Sequence, residues 1–121
     1  MAVLSRRSAL LLAGSALFLP PTAARAHHGW GGYQADNPRE LTGVIEGMSF
    51  DWPHAEMLLR TEERLWEVVL APPSRTRSRG LTEEVAVVGV EATVMGYPHR
   101  SREEEIRVEW VAVAGTTYRM R

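Results

Sequence analysis

The sequence predicts an all-β domain closed into a small barrel, and three observations predict it. From residue 41 onward, short runs of β-branched and aromatic residues alternate with turn formers, the pattern of strands rather than helices. Only one stretch, residues 75–79, has room and composition for a helix. The first run carries Gly43 and Gly47 on one face, and glycines inside a strand mark sharp curvature or the close approach of another backbone.

Taken in order, residues 41–50 form the first strand, with Val44, Met48 and Phe50 on one face and Ile45 on the other, because side chains alternate along a strand. Asp51-Trp52-Pro53 breaks it. Residues 55–61 form the second strand, and Glu62-Glu63 turns the chain into the third, residues 65–71. There Trp66, Val68 and Leu70 alternate with Leu65, Glu67 and Val69, the period of two that places Trp66 in the core. Pro72-Pro73 closes the strand, Ser74 reads as an N-terminal cap, and a short helix over 75–79 stops at Gly80. Gly89 introduces the fourth strand, residues 91–97, which Pro98 ends. The fifth, residues 104–113, sets Ile106, Val108 and Trp110 against Arg107 and Glu109. A turn at Ala114-Gly115 leads to a sixth over 117–120. Five to six strands with a short helix between the third and fourth is the order of an oligonucleotide/oligosaccharide-binding, or OB-type, barrel. A small β-sandwich fits the same alternation, since periodicity does not report topology.

With 121 residues, 45% hydrophobic and 24% charged, the chain has enough material for one domain and excludes a multidomain enzyme. All 14 basic residues are arginine, against 15 acidic ones, for a net charge of −1. That balance argues against a nucleic-acid partner. The absence of cysteine excludes disulfides, thiolate metal sites and a cysteine nucleophile.

Arg6-Arg7 precedes an apolar run over residues 9–19, followed by Pro20-Pro21 and Ala24-Arg25-Ala26. This reads as a signal peptide over residues 1–26, cut after Ala26 and delivering the mature chain to the periplasm. The paired arginines suit a twin-arginine signal and equally the positive start of an ordinary one. A run of 11 residues falls short of the roughly 20 that a permanent membrane span needs. The mature part, an arm over 27–40 and the barrel over 41–121, keeps 11 arginines against 15 acidic residues, a charge of −4.

His27-His28-Gly29-Trp30, Leu41-Thr42-Gly43, Trp52-Pro53-His54, Ala71-Pro72-Pro73-Ser74 and Gly96-Tyr97-Pro98 follow one another through the mature chain. In these ordered motifs it resembles the exported bacterial family labelled "domain of unknown function" (six-one-five-two), with Asp51 standing where that pattern leads one to expect asparagine. The resemblance implies an exported small β domain and no reaction.

The histidines carry the chemical signal. His27, His28, His54 and His99 all lie in the mature part and outside the predicted strand interiors. Cleavage after Ala26 puts a free amine on His27, so one residue offers amine and imidazole nitrogens, a pairing that suits copper(II). In an OB-type barrel the loop between strands one and two and the loop between strands four and five share one rim, and His54 ends the first while His99 begins the second. The 14-residue arm spans at most about 46 Å, more than the roughly 33 Å of a ten-residue strand, and so reaches back to that rim. The sequence therefore offers His27 as first ligand, then His99 and His54, with His28 as a substitute; ligand rings must be neutral. The plainer reading makes His27 and His28 a polar start and His54 and His99 turn residues bonded to backbone.

No catalytic constellation is recognisable: Asp51 and the run Glu103-Glu104-Glu105 read as solvated loops. Arg75, Arg77 and Arg79 form a cationic patch suited to a phosphate or an acidic partner, or simply an exposed helix face. Trp30, Tyr33 and Trp52 either line a shallow pocket at the arm or anchor the arm to the barrel. Two functions follow, both of a binding or accessory module rather than an enzyme. One holds copper(II); the other is a metal-free module that takes a partner protein or small ligand at the rim.

Overall fold

The computed structural model describes residues 29–121, and these form six strands and one short helix. The strands are β1 (Arg39–Ser49), β2 (Glu56–Arg60), β3 (Leu65–Val69), β4 (Glu91–Pro98), β5 (Glu105–Val113) and β6 (Thr116–Arg119), with α1 (Pro73–Ser78) between β3 and β4. β1, β2 and β3 make an antiparallel meander, β4 pairs with the other edge of β1, and β5 pairs with β4. A parallel pairing of β3 with β5, Glu67–Val69 against Glu105–Arg107, closes the ring. The fold is thus a closed five-stranded barrel of OB type with an added sixth strand, and a sandwich is excluded. β5 shares one edge between two partners, β3 on its first half and β6 on its second.

Its interior is filled by Ile45, Met57, Leu59, Val68, Val94, Ile106, Val108 and Val111, all essentially inaccessible to solvent. Trp66 is buried as its alternation predicts. Two bulges, however, reset the alternation on which the strand faces were assigned. Ile45 faces inward and Val44 is 42% exposed, so Val44 does not share the face of Met48 and Phe50, which pack on the core. An extra residue, Glu46, then shifts the register, so that Ile45 lies opposite Leu59 and Met48 opposite Met57. Three residues of β1 thereby match two of β2, and both Ile45 and Met48 reach the core. The same happens in β5 at Glu109, beside the register shift between Met95 and Gly96. Beyond it Val111 and Val113 face in, and Trp110, expected with Ile106 and Val108, is half-buried on the outside.

Curvature falls where Gly43 predicts it. β1 leaves β4 and takes up β2 at Val44, and a Cβ on Gly43 would stand 2.2 Å from the carbonyl oxygen of Arg60. α1 starts at Pro73 rather than at 75, and Ser74 makes no capping bond. Proline suits the first helical position because its missing N–H has no partner there in any case. Thr76 buries its hydroxyl by donating to the Ala71 carbonyl at 2.9 Å, and Gly80 ends the helix at φ +104°. Among the described residues no helix is long and apolar enough to cross a membrane.

The arm lies against the barrel. Tyr33 forms an isolated antiparallel bridge with His99, Gln34 N–H donates to Pro98 O, and Arg100 N–H to Gly32 O, each at 2.9 Å. This covers the outer face of β5, and so Glu105, Ile106, Arg107 and Val108 are all buried in succession.

Candidate functional site

At one end of the barrel, against the outward-facing residues of β2, β3 and β5, the arm, the segment between β1 and β2, and the segment between β4 and β5 meet. They enclose a cavity of about 270 Å³. Its wall includes His54 and His99, Gly29, Gly32 and Tyr33 of the arm, Glu56 and Val69, and Arg102, Glu105 and Arg107. The topology therefore brings both rim histidines to one pocket. His27 and His28 lie outside the described residues; His28 directly precedes Gly29, which lines the cavity.

Arg107 organises this pocket. Its Nη1 donates to Gly29 O at 2.9 Å and its Nη2 to His54 Nε2 at 3.2 Å, so one side chain ties the arm to the first loop. Its guanidinium stacks 4.4 Å from the centre of the Trp30 ring, whose other guanidinium neighbour, Arg121, is also at 4.4 Å. Burial holds the Arg107 pKa below its usual value, and the charges of Arg121 and Arg75 push the same way. Opposite, Glu105 accepts a hydrogen bond from the Tyr33 hydroxyl and pairs with Arg102 Nη1 at 3.0 Å. Burial, then the bond to Glu105, pushes the Tyr33 phenol well up. Glu56 is also raised, by burial first and then by the charges of Glu67 and Glu105.

These contacts fix the tautomers of both rings. A guanidinium has only donors, so His54 accepts at Nε2, and as a neutral ring carries its proton on Nδ1. His99 Nδ1 accepts the backbone N–H groups of Ser101 and Arg102, each at 3.1 Å, which puts its proton on Nε2. A ring that binds metal through one nitrogen donates a hydrogen bond from the other. Here the other nitrogen accepts in both rings. Ligation by His99 through Nε2 would set an Nδ1 proton against two N–H donors, and ligation by His54 through Nδ1 would set an Nε2 proton against the Arg107 guanidinium. The donor set at the rim does not fit copper(II) in this arrangement. Among the described residues no group of three or more histidine or carboxylate side chains is placed to hold a metal ion.

The aromatic and basic candidates are dispersed. Tyr33 lines the pocket, and Trp30 stacks behind it on Arg107, edge-on to Tyr33 and Tyr97. Trp52 is 81% exposed and outside the pocket wall. Arg77 is held by Glu83 at 2.6 Å and lies over Phe50, while Arg79 donates to Arg119 O at 3.3 Å. Arg75 reaches the site only through its charge on Arg107. Instead of presenting one patch, α1 turns Arg77 and Arg79 onto its own surroundings. The glutamate run also divides: Glu103 and Glu104 are surface residues, but Glu105 is 8% exposed, because β5 begins there under the arm. Arg107, Arg102 and Glu56 had no place among the sequence candidates; the available signal was a charged residue between Ile106 and Val108 on a strand that closes a barrel.

Fold and site together define a closed OB-type barrel with an arginine-centred pocket at its rim. No family model and no curated protein matches the chain. Among solved structures, it is similar to the crystal structure of the ZRD-deleted mutant of TiaS in complex with agmatine, at 14% identity and a TM-score of 0.49, over 69% of this chain and 26% of that one. The chain thus spans about a quarter of the length of that structure's chain.

Proposed function

We propose that the chain is an exported, periplasmic binding module whose working site is the rim pocket, and that this pocket takes its ligand without a metal. The observation that carries the reading is the double contact of Arg107. It holds Gly29 of the arm and the acceptor nitrogen of His54 together, so His54 serves as a hydrogen-bond acceptor in the pocket rather than as a donor to a cation. The signal-like residues 1–26 and the resemblance to an exported family support the location.

Copper(II) is the second reading, and one observation favours it. Gly29 lines the cavity, and His27, with its amine after cleavage, is two peptide bonds away. Metal at that terminus would be held by the His27 amine and ring with His28, and not by the rim rings as they stand. The test is a copper(II) titration at neutral pH of protein exported through its own signal, with His27→Ala, His54→Ala and His99→Ala beside it. The expected result is protein isolated without metal, and any copper uptake unchanged by His54→Ala and His99→Ala. Uptake lost in either of these two variants, or copper retained in stoichiometric amount on isolation, would overturn the metal-free reading.

A further inference from the structure

Arg107 is nine-tenths buried, with 9% exposure, yet no carboxylate among the described residues lies within ion-pair distance of it. The ion pairs of the described residues belong to Arg39, Arg60, Arg77, Arg102 and Arg121. Its two terminal nitrogens meet a carbonyl oxygen and a neutral ring nitrogen, and its buried Nε has no partner among the described residues. Arg121 and Arg75 add positive charge nearby, and Glu105 attracts it only through space. A buried charge is ordinarily paired, because dipoles alone replace its hydration poorly. Each terminal nitrogen of a guanidinium carries two N–H bonds, and Gly29 and His54 take one from each. That leaves one donor on each nitrogen for an anion.

We propose that the rim pocket binds a small monocarboxylate, with the Arg107 guanidinium as the group that holds the carboxylate. The proposal rests on the metal-free reading above and names the ligand's chemistry. Three features select that class. Trp30 covers a face of the guanidinium at 4.4 Å, which directs recognition to the planar edge, where a guanidinium matches a carboxylate with two parallel hydrogen bonds. The cavity, about 270 Å³, is small and has Val69 and the Tyr33 ring in its wall, surface for a short hydrocarbon. Glu56 and Glu105 line the same cavity and would repel a second negative charge. Arg102 is already taken up by Glu67, Glu104 and Glu105, which leaves Arg107 as the anion's partner.

The experiment is a two-dimensional amide NMR titration of the chelator-treated mature protein with sodium acetate at constant ionic strength, with sodium chloride and sodium phosphate as parallel arms. Acetate should give saturable shifts at Gly29, Gly32 and the Trp30 indole, and chloride and phosphate should not. Arg107→Lys keeps the charge but loses the planar fork, and should bind acetate about tenfold more weakly or worse; Arg107→Gln should abolish the shifts. Wild-type protein that shows no saturation up to about 100 mM, where a millimolar site is filled, would overturn the proposal. So would equal shifts with chloride, or unchanged affinity in folded Arg107→Lys. Because the protein is free of metal throughout, a negative result here removes the carboxylate and leaves the metal-free reading to the copper titration.

Discussion

A methyl group on Gly96 would stand 2.1 Å from the carbonyl oxygen of Arg107 and 2.5 Å from Val108 Cα. Both are backbone atoms of the neighbouring strand and cannot step aside without opening the β4–β5 ladder. Gly96→Ala should therefore cost about 1–3 kcal/mol or more, as overpacking does. Gly31→Ala, where a Cβ would meet nothing within 4 Å, should stay within about 0.5 kcal/mol. Urea midpoints of the two variants check this, and equal midpoints would refute the close approach. Gly43 was readable as a point of curvature because strand residues flank it on both sides. Gly96 also lies inside a predicted strand, residues 91–97, but close to the end set by Pro98, and the sequence does not say which neighbouring backbone approaches it. A similar boundary runs through His54 and His99. Their place at one end of the barrel follows from element order, which the sequence carries. Their tautomers depend on where the N–H groups of Ser101 and Arg102 and the guanidinium of Arg107 point, and no spacing of residues reports that.

At the scale of elements, alternation is trustworthy only between bulges. Along β3 it runs unbroken, and Trp66 and Val68 are inside as read. Along β1 and β5 an extra residue, Glu46 or Glu109, changes parity partway, so Val44 does not share a face with Met48, nor Trp110 with Ile106 and Val108. A bulge leaves no mark in hydrophobic pattern, because the apolar residues on either side simply fall out of phase. The β5–β6 hairpin was fully legible, and it leaves room for improvement. Its two loop residues have positive φ, 50° at Ala114 and 83° at Gly115, the pairing that favours asparagine followed by glycine. Alanine in the left-handed region costs roughly 1–2 kcal/mol, and asparagine tolerates it better. Ala114→Asn should raise stability by about 0.5–1 kcal/mol, with a rise in Tm of several degrees for a domain of this size. A fall in Tm by calorimetry would show that the turn does not hold this conformation.

At the scale of the whole molecule, the arm turns a barrel strand with one solvated face into one buried on both, and it brings titratable groups in with it. Tyr33 is the clearest case. Burial, and then its bond to Glu105, keep its phenol protonated well above its ordinary value, and the bond from Tyr97 to Glu109 acts in the same direction on that residue. In the unfolded chain a tyrosine ionises near pH 10. Below that pH both states hold the proton, and the contribution of Tyr33 to folding is present in full. Above it the unfolded chain releases the proton while the folded one keeps it, so stability falls as pH rises. This chain suits the measurement unusually well: it has three tyrosines and no lysine, so no ammonium side chains titrate in the same window and the arginines stay charged. Urea midpoints taken from about pH 8 to about pH 11 should hold steady and then decline past pH 10 in the wild type, with a shallower decline in Tyr33→Phe. If the two curves fall in parallel, the phenol is not held by the arm against the barrel, and the clamp that places Gly29, His54 and Arg107 around one pocket loses its anchor at Glu105.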